Sequence, residues 1–213
     1  MSSFAATKII TILVGPEKVE YFLHKDILIQ YSPFFAKCLA TNMKEALSNV
    51  VEMPEILTAQ LTWLAMYLYK NALPEQDINK APYDVYEAWA LADRLCMPRF
   101  QDMLMDRLMD YSRRKVIPMP YFAWVIEHHN HLDTLSFRFV RDQVLYEWPS
   151  GNDALYEKEN MVAGLNDLLV KGFLDNRFVL DLLVAAKTPT PDPCKQGCKH
   201  HVHGTSKACT VRS

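Results

Sequence analysis

Glycine is scarce in this chain. Gly15, Gly151, Gly164, Gly172, Gly197 and Gly204 are the only six among 213 residues, roughly 3% where about 7% is usual. They stand too far apart for GxGxxG or GxxxxGK[ST], in which close-set glycines let backbone N–H groups surround a phosphate. Nucleotide-dependent chemistry is therefore not expected. Long apolar runs are lacking too, and none approaches the ~18–20 residues that cross a bilayer. The opening MSSFAATK has neither the charged nor the apolar region of a signal peptide. Cys209, fifth from the end, does not form a prenylation box. Neither sign of charge is in large excess. A formal net charge of −2 gives no basic footprint for nucleic acid over the whole chain. These absences predict a soluble protein of the cytoplasm or nucleus, with reduced thiols and no membrane partner.

Catalytic constellations are missing as well. There is no HExxH and no strand-turn-Ser elbow. Asp102, Asp106 and Asp110 fall on one helix face but alternate with Arg and Lys, which predicts solvated surface rather than an acid–base pair. No catalytic residue is assigned and an enzyme is not expected.

What the chain does hold is apolar mass. Half of its residues are hydrophobic, with 10 Phe, 10 Tyr and 4 Trp, enough for a sizeable core. Two β-type runs, Ile9–Val14 and Val19–Leu23, flank Gly15-Pro16-Glu17-Lys18, and Gly-Pro is a strong turn signal, so a hairpin is predicted. His24-Lys25 opens a helical segment. Ser32-Pro33-Phe34-Phe35 opens another, with Ser32 suited to the N-cap and Pro33 to the first helical position. A short strand is read over Asn49–Met53. The spacing predicts a helix over Leu57–Lys70 with Leu57, Leu61, Leu64, Ala65 and Leu68 inward. A second, over Tyr83–Leu95, turns Val85, Ala88, Trp89, Ala92 and Leu95 inward. A third, over Arg99–Tyr111, buries Met103, Leu104 and Leu108. Cys38 and Cys96 read as small core hydrophobes.

The order hairpin, His-Lys, helix, Ser-Pro-Phe-Phe, helix resembles the start of the BTB/POZ domain. The likeness continues through Met43-Lys44-Glu45, the tyrosine-rich end of the Leu57–Lys70 helix, and Ala88-Trp89-Ala90-Leu91-Ala92-Asp93 with Met97-Pro98-Arg99-Phe100. The resemblance implies an α+β BTB/POZ-like domain over residues 6–112 that mediates protein–protein contacts without chemistry of its own. It also implies a partner surface. Met43-Lys44-Glu45 matches the hydrophobic-x-Glu pattern that contacts the cullin scaffold in ubiquitin-ligase adaptors of this family. An ordinary solvent loop is the alternative at that place. Two departures matter. Many BTB transcription regulators carry an acidic residue where Ile9 stands, facing the basic position kept by Lys25, so their charged corepressor pocket is not expected. With only about eight residues before the first strand, the strand and helix that such regulators exchange between subunits are not expected.

Pro118-Met119-Pro120 marks the boundary of an all-helical extension over residues 118–187. Helices are predicted over Tyr121–His128, Thr134–Trp148, Asn160–Lys171 and Asp175–Lys187. Phe137, Val140, Val144, Leu145 and Trp148 make one inward stripe. Phe178, Val179, Leu182, Leu183 and Ala186 make another. Helices of this kind resemble those that follow the domain in small stand-alone BTB proteins of filamentous fungi. Glu127-His128-His129-Asn130-His131 has metal-ligand types, but histidines before an asparagine stop suit a helix C-terminus. Arg113-Arg114-Lys115 reads as a helix-end cation cluster rather than a localisation signal.

Residues 188–213 change character. Thr188-Pro189-Thr190-Pro191-Asp192-Pro193 is a stiff, helix-ending linker, and beyond it a flexible Cys/His-rich tail is predicted. The tail holds four Lys or Arg against one Asp, a surplus of about three positive charges. Cys194, Cys198, His203 and Cys209 make a candidate zinc set, with His201 as alternate, because three thiolates and one imidazole suit tetrahedral zinc. The alternative is a tail with incidental Cys and His. Three functions follow: a non-enzymatic interaction module binding itself as a homodimer or a scaffold, a cullin-type ubiquitin-ligase adaptor, or a metal-dependent or nucleic-acid-binding regulator acting through the tail.

Overall fold

The computed structural model describes residues 8–75, 82–129, 134–147, 158–188 and 190–203. The chain packs as two compact units, Met1–Leu104 and Met105–Ser213.

The first unit opens on the predicted hairpin. Strand β1 (Ile9–Val14) pairs antiparallel with β2 (Val19–His24), with Ile9 opposite His24 and Val14 opposite Val19. Gly15 (φ +72°) and Lys18 (φ +52°) take left-handed conformations at the two ends of the turn, and Lys18 N–H donates to Gly15 O at 3.1 Å. Alternation is strict along β1: Ile10, Ile12 and Val14 are buried while Ile9, Thr11 and Leu13 are not. That period of two fixes which face meets the core. Strand β3 (Val50–Met53) joins β1 in parallel, giving the order β2-β1-β3.

Helices α1 (Lys25–Tyr31) and α2 (Pro33–Cys38) meet at Ser32, whose Oγ accepts from Phe35 N–H at 3.3 Å as an N-cap should. The same hydroxyl donates to Leu95 O at 2.6 Å, tying this junction to the end of a helix 63 residues away. Helix α3 (Lys44–Ser48) precedes β3. Helix α4 (Thr58–Lys70) buries Leu61, Trp63, Leu64, Tyr67 and Leu68. Its predicted first residue, Leu57, is instead the N-cap and is exposed, because a capping residue lies outside the helical stripe. Gln60 Oε1 accepts from Leu57 N–H at 2.7 Å and completes that start.

Helix α5 (Pro82–Arg94) buries the five residues its period requires, if Leu95 just beyond it is counted, together with Tyr86 and Leu91. It ends in a Schellman turn: Met97 N–H donates to Ala92 O and Cys96 N–H to Asp93 O, both at 2.9 Å. Cys96 occupies the left-handed position (φ +55°) usually held by glycine, and this geometry turns its thiol outward. The core role expected of Cys96 does not hold, and Cys38 is only half-buried. Helix α6 (Pro98–Ser112) follows, and the boundary between the two units falls within it. Phe100 stacks on Tyr67 with centroids 4.6 Å apart. Asp102 is 3% exposed, so the solvated face expected there is corrected: it shares a stripe with buried Met105 and Met109. Met103 is half-buried, while Leu104 and Leu108 are buried as predicted.

The second unit is helical. Helices α7 (Met119–His129), α8 (Leu135–Glu147), α9 (Lys158–Val170) and α10 (Asn176–Lys187) follow, with α7 packed on α8 and α9, and α10 on α8. Asp175 caps α10, its Oδ1 accepting from Phe178 N–H at 3.0 Å. The buried stripe of α10 is Phe178, Leu182 and Ala185; Leu183 and Ala186, expected inward, are exposed. The spacing i, i+4, i+7 leaves room for one face only. In α8, Phe137 is half-buried while Phe139, Val140, Val144 and Leu145 are buried; Trp148 lies outside the described residues. Glu147 ties Ile117 to α8. It accepts from Ile117 N–H at 2.8 Å and from Gln143 Nε2 at 2.7 Å. No helix among the described residues is long and apolar enough to cross a membrane.

Candidate functional site

Among the described residues, two places are candidates, one in each unit. In the first unit the hairpin's outward face carries apolar side chains beside Thr11, Glu20 and His24. Register places Ile9, Thr11 and Leu13 on the same side as Phe22, which stands opposite Thr11. Phe22 is 62% exposed, and Ile9 and Val19 are also open to solvent. Strands seldom leave such residues uncovered without a use for them. Met43-Lys44-Glu45 is not a loop. Met43 caps α3 and is exposed, and Glu45 sits in the first turn of that helix, half-buried. Burial, and then the Glu45 carboxylate, push the Cys38 thiol above its ordinary value. Leu47, in the same short helix, is 77% exposed. An apolar side chain with a carboxylate beside it can fill a partner's pocket and fix its register.

The second place is the tail. Asp192 starts a single 3₁₀ turn (Pro193–Lys195), accepting from Cys194 N–H at 2.9 Å. That turn points Cys194 inward. Its Sγ donates toward Met109 O at 3.5 Å and Gln143 Oε1 at 3.6 Å. Burial, followed by the Asp192 carboxylate, pushes the thiol up to about 11, with the Arg113 guanidinium opposing. A neutral, hydrogen-bonded thiol is a poor metal ligand, and Cys194 stands outside the metal-capable group described next.

Gly197 (φ +61°) then reverses the chain, and His201 N–H donates to Cys198 O at 3.1 Å. This turn gathers Cys198, His201 and His203, whose ligand atoms lie within 4.8 Å of one another. The two imidazoles stack with centroids 5.1 Å apart. These three residues can hold a metal ion. Of the four residues in the predicted set, the structure brings together Cys198 and His203; it adds the alternate, His201. Cys209 lies outside the described residues, as do Asn130 and His131 of the earlier histidine run. His128 of that run donates from Nδ1 to Trp124 O, 2.8 Å away, as a helix-end side chain does.

His200 is buried for another reason. It meets Phe139 edge-on at 5.4 Å, and desolvation pushes its imidazole down to about 4, so the ring is neutral near pH 7. Asp142, 3.6 Å from it, is engaged by Lys199 at 3.0 Å. Sequence reasoning missed Asp106, whose Oδ1 lies 3.1 Å from His201 Nε2. No local signal could have found it, since 95 residues separate the two.

Compared with known proteins, residues 6–112 match the family model described as BTB/POZ domain. No curated protein matches the chain.

Proposed function

Since this chain belongs to the BTB/POZ domain family, we propose that its first unit binds a second copy of itself through the outward face of the β1–β2 hairpin. Protein interaction in general comes with family membership; the partner and the surface are the proposal. No enzymatic activity accompanies it. The observation that carries the reading is the exposure of Ile9 and Phe22 on a hairpin whose strand β1 buries its whole other face, Ile10, Ile12 and Val14. Burying such side chains contributes roughly 1.5–3 kcal/mol each, which favours association. Light scattering on the full chain at tens of micromolar should give about twice the chain mass, and Phe22→Glu should return it to one. A wild-type chain of single mass overturns the reading.

A rival reading makes the domain a cullin-type ubiquitin-ligase adaptor. Exposed Met43 beside Glu45 supports it. In that case Met43→Ala with Glu45→Ala abolishes co-purification of a cullin and leaves the melting temperature nearly unchanged. Unaltered co-purification disposes of the adaptor role.

A second reading concerns the tail, which would bind zinc. Cys198, His201 and His203 support it, since one thiolate and two imidazoles supply three of the four tetrahedral positions. Cys209 would supply the fourth. Protein prepared without chelator should carry about one zinc per chain, lost on Cys198→Ser with His203→Ala.

A further inference from the structure

We propose that Asp106 is the outer carboxylate of that zinc centre, so that one metal ion fastens the tail to helix α6. The inference rests on the zinc reading and deepens it. His201 is 1% exposed, yet its Nδ1 has no hydrogen-bond partner. A buried ring nitrogen left unmatched is costly, and such a group calls for an occupant. The other ring nitrogen explains the orientation. Nε2 faces Asp106 Oδ1 at 3.1 Å, so the proton sits on Nε2 and is donated to the carboxylate. Nδ1 then carries the lone pair. A histidine whose second nitrogen donates to a carboxylate is the usual arrangement of a metal-bound imidazole, because the carboxylate fixes the tautomer and strengthens the ligand.

The geometry of the group fits zinc. Bonds of about 2.0–2.3 Å place tetrahedral ligands roughly 3.3–3.8 Å apart. The ligand atoms of Cys198, His201 and His203 already lie within 4.8 Å of one another, so a contraction of about 1 Å brings these three to ligand spacing. The thiolate and imidazole donors favour zinc over magnesium or calcium, which take oxygen ligands. Asp106 also lies on α6, far from the tail in sequence. Holding His201 to it converts a local chelate into a link between the tail and the body of the second unit. Lys199 adds a tie to Asp142 on α8 that does not depend on metal.

The test is zinc affinity, read by competition against a chromophoric chelator on the full chain. Cys198→Ser should lose binding. Asp106→Asn should bind about 10–100-fold more weakly, while Asp106→Glu, which keeps a carboxylate, recovers part of the loss. Hydrogen exchange at residues 198–203 should slow on zinc addition in the wild type and change little in Asp106→Asn. If the wild-type chain takes up no zinc, the zinc reading itself fails. If it takes up zinc and Asp106→Asn binds within threefold of it, zinc stands and the role of Asp106 falls.

Discussion

The two units use buried polar groups differently. In the first, they close the ends of helices. Ser32 caps α2 and also satisfies Leu95 O; Gln60 completes the start of α4 and then bonds Glu87. Ser32 and Gln60 are neutral; among the described residues, Asp102 is the buried carboxylate of this unit. In the second, buried polar groups can carry charge or bind metal: Glu147 receives Ile117 N–H and Gln143, Cys194 meets Met109 O, and His200 and His201 of the tail are buried. The lesson is about what each arrangement can respond to. Capping hydroxyls and amides are indifferent to pH and metal. Buried carboxylates, thiols and imidazoles are not.

The comparison can be broken most forcefully at Glu147. Replacing Glu147 by Ala strands Ile117 N–H and the Gln143 amide in the interior, at about 1–3 kcal/mol each. We expect about 3–4 kcal/mol of destabilisation in urea unfolding; a loss below about 1 kcal/mol would show that the contacts are incidental. The next largest effect is alkaline. The Cys194 thiol is raised from 9.0 to about 11, so the folded state holds a proton that the unfolded state releases. Its contribution is fully present below about pH 9 and fades as pH rises towards 11, on the order of 2–3 kcal/mol. Cys194→Ala should flatten that decline, and at pH 8 iodoacetamide should label Cys96 well before Cys194.

In the first unit, Ser32→Ala removes a cap and leaves Leu95 O without its donor. The expected loss is about 2 kcal/mol, and it should be the same at pH 6 and pH 9, unlike the Cys194 effect. The smallest effect has the opposite sign. Cys96→Gly relieves a side chain held at positive φ, which should stabilise by about 0.5–1 kcal/mol and raise the melting temperature by about 2–4 °C. A lowered melting temperature would mean that the thiol has a use.

How far these features could be read in advance depends on their range. The hairpin, the Ser32 cap and the inward residues of α5 follow from neighbours within a few positions, and they are where the sequence put them. Leu57, Leu183 and Ala186 were misread because periodicity cannot tell a cap from a first turn, nor which of two adjacent apolar stripes meets a neighbour. Asp102 was misread because charge patterning describes a helix by itself and not what packs upon it. In the tail, the Cys and His residues were legible as a metal-capable set, but not their division into a buried thiol, Cys194, and the group Cys198, His201 and His203.

The sequence alone determined the family and the strand and helix order, since these rest on local pattern and spacing. The tertiary structure alone decided that Cys194 turns inward and which carboxylates face Lys199 and His201. Those outcomes depend on contacts across some 50 to 95 residues, beyond the reach of any local rule.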